Sequence, residues 1–192
     1  MRFPVFLDTC ALYPALVADV LLRVAEAGAY TPHWSPQVLT ELRPNLAKID
    51  TVGDAGAGAR LDAMSSAFPR AAVTRYEGLI EAMTCSPEDR HVLAAAVYAK
   101  CQVLVTYNVP DFPAASASPH GVTVLTPDQF LLDQLDLHPV WVVRSLREMS
   151  HASRKPPLSP SALLDSLARS GLAGFTAEVI RRYPLGTWEV MP

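Results

Sequence analysis

The sequence has only three cysteines, Cys10, Cys85 and Cys101, and no C-x-x-C pair among them. An odd, widely spaced set offers neither a disulfide framework nor the ligand spacing of a structural zinc site. The three read as small buried hydrophobes. Cys10 lies two residues from Asp8, but a nucleophilic thiol there would need a base from a distant segment. Long apolar runs are missing as well. The longest, Val92 to Ala99, is far shorter than the roughly 20 residues that span a bilayer. The N-terminus lacks a basic-then-apolar leader, since Arg2 is followed at once by a strand-like run ending in Asp8. A soluble, cytoplasmic protein with no membrane association is expected. Positive charge is not in excess either. The net charge of −3 argues against a chain that holds nucleic acid by bulk charge alone. No internal repeat is visible.

What remains is enough for a sizeable core: 192 residues, half of them hydrophobic, and mean hydropathy +0.18. The length predicts one domain with an added lobe. Charge divides unevenly along it. Residues 1–137 carry 9 Lys/Arg and 15 Asp/Glu, a balance of −6, and residues 138–192 carry 7 and 4, a balance of +3. We therefore expect a main domain over 1–137 and a basic helical extension over 138–192, packed on or beside the core. Arg181 and Arg182 are its candidates for contact with a phosphate backbone.

Phe3 to Leu7 reads as a buried strand. Ala11 to Ala27 reads as a helix stopped by Gly28. Ser35-Pro36 opens the next, with Ser as its cap and Pro at the first position, and Pro44 should end or kink it near Arg43. Gly53 to Gly58 is expected as a loop, Ala59 to Phe68 as a helix and Ala72 to Tyr76 as a short strand. Ser86 to Lys100 is the clearest helical pattern, followed by a strand at Val103 to Thr106. A loop over Ala114 to Gly121, a strand at Val122 to Leu125 and a helix from Pro127 through Leu135 complete the domain. Beyond it, helices are expected over His138–Ser153, Ser161–Ser170 and Phe175–Tyr183, with a stiff Pro-rich break at Lys155–Pro160. Strands alternating with helices predict an α/β fold around a mainly parallel sheet.

Four polar stations fall where such a sheet could gather them. Asp8 ends the first strand. Glu41 lies in the helix opened by Ser35-Pro36. Asp89 lies in the first turn of a helical pattern, on a stripe with Leu93 and Val97. Asn108 and Asp111 follow the strand ending at Thr106. Ligands of open parallel sheets bind beyond the carboxyl ends of the strands, and clustered carboxylates repel unless a hard cation neutralises them. Each residue also has a structural use: Asp8 and Asp111 in turns, Glu41 on a surface, Asp89 in a capping box with Ser86. Taken in order, the set points to metal-assisted phosphodiester chemistry.

The ordered set resembles the PIN-domain ribonuclease family, especially its bacterial VapC-like toxins. The resemblance is carried by Leu7-Asp8-Thr9, Val38-Leu39-Thr40-Glu41-Leu42, Asp89-Arg90-His91-Val92-Leu93-Ala94-Ala95-Ala96, and Val105-Thr106-Tyr107-Asn108-Val109-Pro110-Asp111-Phe112. It covers roughly residues 1–135. It implies a three-layer α/β/α sandwich, bound Mg2+ or Mn2+, and an endoribonuclease acting on RNA. It further implies a small antitoxin protein as partner, and dimers of the chain. Carried over, the resemblance implies Asp8, Glu41, Asp89 and Asp111 as catalytic acids, the first three holding metal. Thr9, Thr106 and Asn108 would support them, and Arg90 is a candidate for contact with RNA phosphate, with a solvent-facing position as its alternative. Asn108 stands where many relatives place an acid, which keeps open an inactive PIN-like module that binds RNA or protein. A haloacid-dehalogenase-like phosphatase would need Asp-x-Asp, and position 10 is Cys. A receiver domain would need a Lys after the late strand, and none falls there.

Overall fold

A computed structural model describes residues 3–152, 158–184 and 188. Four strands form one sheet: β1 (Pro4–Leu7), β2 (Thr31–His33), β3 (Val103–Val105) and β4 (Thr123–Leu125). Their order is β2-β1-β3-β4, and every pairing is parallel. Val5, Phe6 and Leu7 of β1 are fully buried, as expected for a strand between two others with both faces covered. The register sets Phe6 beside His33 on one flank and Leu104 on the other. Asp8 continues the ladder by donating its N–H to the Val105 carbonyl at 3.1 Å.

Ten α-helices lie among the described residues: α1 (Thr9–Leu12), α2 (Ala15–Glu26), α3 (Pro36–Ala47), α4 (Gly53–Ala67), α5 (Arg90–Tyr98), α6 (Ala114–Ala117), α7 (Pro127–Leu137), α8 (Pro139–His151), α9 (Pro160–Arg169) and α10 (Ala173–Arg182). Parallel strands interleaved with helices make the α/β/α, PIN-like arrangement. The chain divides into two compact units. One comprises Met1–Tyr13 and Tyr30–Thr126, the other Pro14–Ala29 and Pro127–Pro192. The units divide at Thr126, and α2 is grouped with the C-terminal helices.

Several local expectations change for physical reasons. The helix read over Ala11–Ala27 is two helices, because Pro14 stands before α2 with extended backbone. Pro44 does not end α3. Val38, Leu42 and Leu46 are buried along it, and the proline lies on the exposed side. The Asn45 side chain donates to the Glu41 carbonyl at 3.0 Å across that turn. The glycine-rich stretch from Gly53 is helix α4, not a loop, with Ala57 and Met64 buried. Arg43 of α3 pairs with Asp54 at its start. The strand expected at Ala72 is a single bridge to Trp34. Strand β2 went unanticipated because it has three residues and a central proline. The loop expected over Ala114–Gly121 contains α6 and a 3-10 turn at Ser118–His120.

In the second unit, α2, α7, α8, α9 and α10 bury Val20, Val24, Leu131, Leu146, Leu164 and Phe175. Asp128, in the first turn of α7, spans to another helix: its Oδ1 accepts from the Phe175 N–H at 2.8 Å. Trp188 is buried, whereas Trp141 is 37% exposed. Residues Lys155–Pro157 of the expected Pro-rich break lie outside the described residues. No described helix is long and apolar enough to cross a membrane.

Candidate active site

A cavity of about 370 Å3 opens beside the carboxyl end of β1. Asp8, Glu41, Asp89 and Asn108 line it, from four separate segments. Thr9, Cys10, Tyr13 and Asn45 complete the wall. The parallel register makes this convergence possible, since β1 and β3 end together and α3 follows β2 directly.

Asp8 is buried, only 4% exposed, and its carboxylate is held from three sides. Oδ1 accepts from the Thr9 N–H at 2.6 Å. Oδ2 accepts from the Thr106 hydroxyl at 2.7 Å and from the Cys10 thiol at 3.1 Å. Thr106 is fully buried and in turn accepts from the Asn108 N–H at 3.0 Å. The Cys10 sulfur also accepts from the Tyr107 N–H at 3.1 Å. Burial first, and then the neighbouring Asp8 charge, push the Cys10 thiol up to about 11. At neutral pH it is a protonated donor, which removes it as a nucleophile.

Glu41 is fixed by three donors. Thr9 Oγ1 donates to Oε2 at 3.0 Å, Gln37 Nε2 to Oε1 at 3.2 Å, and His91 Nε2 lies 3.1 Å from Oε1. Burial lowers the His91 pKa, against the opposing pull of Glu41 and Asp8. A neutral imidazole donating from Nε2 leaves Nδ1 as an acceptor, and Nδ1 is buried without a partner. Sequence reasoning quoted His91 only as part of a motif. Its place two residues after Asp89, in an otherwise apolar stretch, was the available signal.

Asp89 is the last residue of a 3-10 turn, Pro87–Asp89, and the N-cap residue of α5, which starts at Arg90 and not at Ser86. The capping-box reading fails: neither Ser86 nor Asp89 makes a side-chain cap hydrogen bond. Desolvation, then the charges of Asp8, Asp111, Glu88 and Glu41, push Asp89 from 3.8 up to about 6. Asp111 ends a 3-10 turn at Val109–Asp111 and is tied to the Asp89 loop through the Ser86 N–H and the Asp111 carbonyl, 3.0 Å apart. It acts on Asp89 by charge but does not line the cavity. Asn108 lines it and is exposed. Arg90 does not line it, and its buried Nε has no partner among the described residues. Arg181 and Arg182 belong to the other compact unit. Both pair with Glu178, and Arg182 also with Asp136. Those pairs hold Glu178 down to about 2.

Among the described residues, no three His, Cys, Asp or Glu side chains form a ready-made set for a metal ion. The donors at the cavity nevertheless fit a hard cation that keeps its waters. They are carboxylate oxygens, and Mg2+ is commonly held through one or two carboxylates, water and substrate phosphate. The raised Asp89 pKa expresses desolvation first and then crowded negative charge, both of which a bound cation would offset.

A family model described as "PIN domain" matches residues 4–110, and one described as "VapC50 C-terminal domain" matches residues 127–181. The chain belongs to the PIN-domain family. It is 41% identical over 112 residues to a Mycobacterium tuberculosis protein named "Putative ribonuclease VapC50". That alignment takes in 58% of this chain and 66% of the relative, so it spans slightly less than two thirds of the relative's length. No solved structure matches the chain. The second family model begins at residue 127, where the compact units also divide.

Proposed function

We propose that the chain is a metal-dependent endoribonuclease, the toxin of a toxin–antitoxin pair, acting in the cytoplasm. The observation that carries this reading is the convergence of Asp8, Glu41 and Asp89 on one cavity at the carboxyl end of the sheet. Similarity to the relative named as a ribonuclease supports the substrate class.

Asp8 and Asp89 would hold Mg2+ or Mn2+, with Glu41 reaching it through water. When bound, such an ion makes coordinated water more acidic and polarises a phosphoryl oxygen. The chain's own residues supply the rest. Thr106, Cys10 and the Thr9 N–H lock the Asp8 carboxylate in one orientation. Thr9, Gln37 and neutral His91 do the same for Glu41, leaving it an oriented carboxylate that can accept a proton from water. Asn108 offers an uncharged oxygen and an N–H2 at the rim, where substrate phosphate can approach without repulsion. In this reading Asp111 tunes Asp89 by charge. A small antitoxin protein is the proposed partner, and a homodimer the proposed assembly.

The test is sequencing of RNA ends after brief expression, with Asp8→Asn as control. New, reproducible 5′ ends that disappear in the control support the reading. RNA ends identical in both strains, with Mg2+ bound by neither protein in calorimetry, leave the inactive PIN-like binding module that Asn108 favours.

A further inference from the structure

A second cavity, of about 380 Å3, lies in the same compact unit away from the carboxylates. His33, Arg70, Thr74, Arg75 and Tyr98 line it, and no carboxylate does. Arg70 and Arg75 are exposed, and neither engages an acidic partner among the described residues. Arg43 and Arg60 of the same unit are engaged, Arg43 by Asp54 and Arg60 by the Leu12 carbonyl, and Arg90 is half-buried. Tyr98 presents a ring that is 47% exposed at the end of α5.

The backbone here is unusual. Arg75 at φ 69° and Lys100 at φ 56° are the non-glycine residues with left-handed backbone among those described. Lys100 follows Ala99 of the cavity wall and takes the helix-ending position where glycine is common, with Cys101 N–H bonded to Ala96 O at 2.9 Å. Arg75 has no such helix end to explain it. Basic side chains are thus held at two positions where glycine would cost less.

We propose that this groove is a second nucleic-acid site, which takes the sugar–phosphate backbone of single-stranded RNA; it rests on the reading of RNA as substrate. Arg70 and Arg75 would pair with successive phosphates, and Tyr98 would stack on a base. Unpaired guanidiniums beside an exposed aromatic platform favour RNA over an acidic peptide, which would use the charges and leave the ring idle. The groove is tied to the sheet through Trp34 and Ala72. Ser35, the next residue, caps the helix that carries Glu41. A strand held here therefore lies beside β2, which leads into the helix carrying Glu41, and at the far end of α5 from Asp89.

The test is fluorescence anisotropy of a labelled 12-nucleotide oligouridylate with the full chain, in EDTA so that nothing is cut. Arg70→Gln with Arg75→Asn should weaken binding tenfold or more. It should also flatten the salt dependence by about 1.4 in log–log slope, two phosphates at roughly 0.7 each. Asn tolerates the left-handed backbone, and Arg70→Gln alone changes no strained position and should produce half the slope change. Tyr98→Ala should weaken binding about fivefold with the slope unchanged. Loss of binding in the arginine variants of a chain that never cleaves RNA sustains the groove and defeats the nuclease reading. Wild-type affinity and slope in the double variant, or no binding by wild type, overturns the groove. So does a double variant that keeps the RNA but loses a labelled polyglutamate peptide.

Discussion

Replacing Asp89 by Asn should stabilise the metal-free protein at neutral pH, although it removes a proposed metal ligand. Asp89 is half-buried, and desolvation, followed by the charges of Asp8, Asp111, Glu88 and Glu41, raises its pKa from 3.8 to about 6. A carboxyl whose pKa is higher in the folded state holds its proton more tightly there. Its contribution is fully present below pH 3.8 and is lost as pH rises through about 6. About 1.4 kcal/mol accompanies each pH unit, so the unscreened cost at pH 7 is about 3 kcal/mol. Solvent around a half-buried group reduces it to about 1–1.5 kcal/mol. For a chain of this length that is a rise in Tm of roughly 2–6 °C. The assay is thermal unfolding of wild type and Asp89→Asn in EDTA at pH 4 and pH 7, repeated at pH 7 with excess Mg2+. The variant should be more stable at pH 7, and equal to wild type at pH 4. With Mg2+ the order should reverse, because wild type gains binding free energy in its folded state. A variant no more stable at pH 7 than at pH 4 relative to wild type would show that Asp89 does not sit in crowded negative charge.

Thr106→Val should destabilise by about 1–3 kcal/mol, since Asp8 Oδ2 and the Asn108 N–H each lose a buried partner; urea unfolding measures it. The same variant should bind divalent metal roughly 10–100-fold more weakly by calorimetry, because Asp8 loses its orienting hydroxyl. Cys10 should resist alkylation at pH 8, where a thiol raised to about 11 is almost wholly protonated. Peptide mass spectrometry after iodoacetamide treatment checks this, and labelling as fast as an unstructured thiol contradicts it. Asp128→Ala should cost about 1 kcal/mol in urea unfolding through loss of the bond to the Phe175 N–H. Gly174→Ala should cost a similar amount, because its added Cβ would stand 2.6 Å from Asp128 Oδ2 and displace the same carboxylate.

Local chemistry alone made much of the fold legible. Val5-Phe6-Leu7 has the composition of a buried strand, and Ser35-Pro36 carries its own helix start: Ser35 Oγ accepts from the Val38 N–H at 3.2 Å. The strand–helix alternation was enough to place Asp8 at a strand end and Glu41 on the helix opened by Ser35-Pro36. Signals failed where burial overrode local preference, as in α3 running past Pro44 and α4 forming over Gly53, Gly56 and Gly58. They failed again where an element was too short to show a period, as in β2.

The site divides along the same line. That Asp8, Glu41 and Asp89 are the acids to watch follows from their residue types and their order, because strand ends and early helix turns are local features. What each carboxylate touches was decided by tertiary structure. Thr106 meets Asp8 across 98 residues, and His91 meets Glu41 across 50, only because the parallel order β2-β1-β3-β4 brings those segments to one edge. The role of Cys10 as a hydrogen-bond donor and the exclusion of Arg90 from the cavity depend on side-chain neighbours distant in sequence or on a rotamer. Residue type and spacing encode neither. A hydrogen bond or a Coulomb contact acts over a few ångströms of space, while a sequence pattern reports only the few residues on either side.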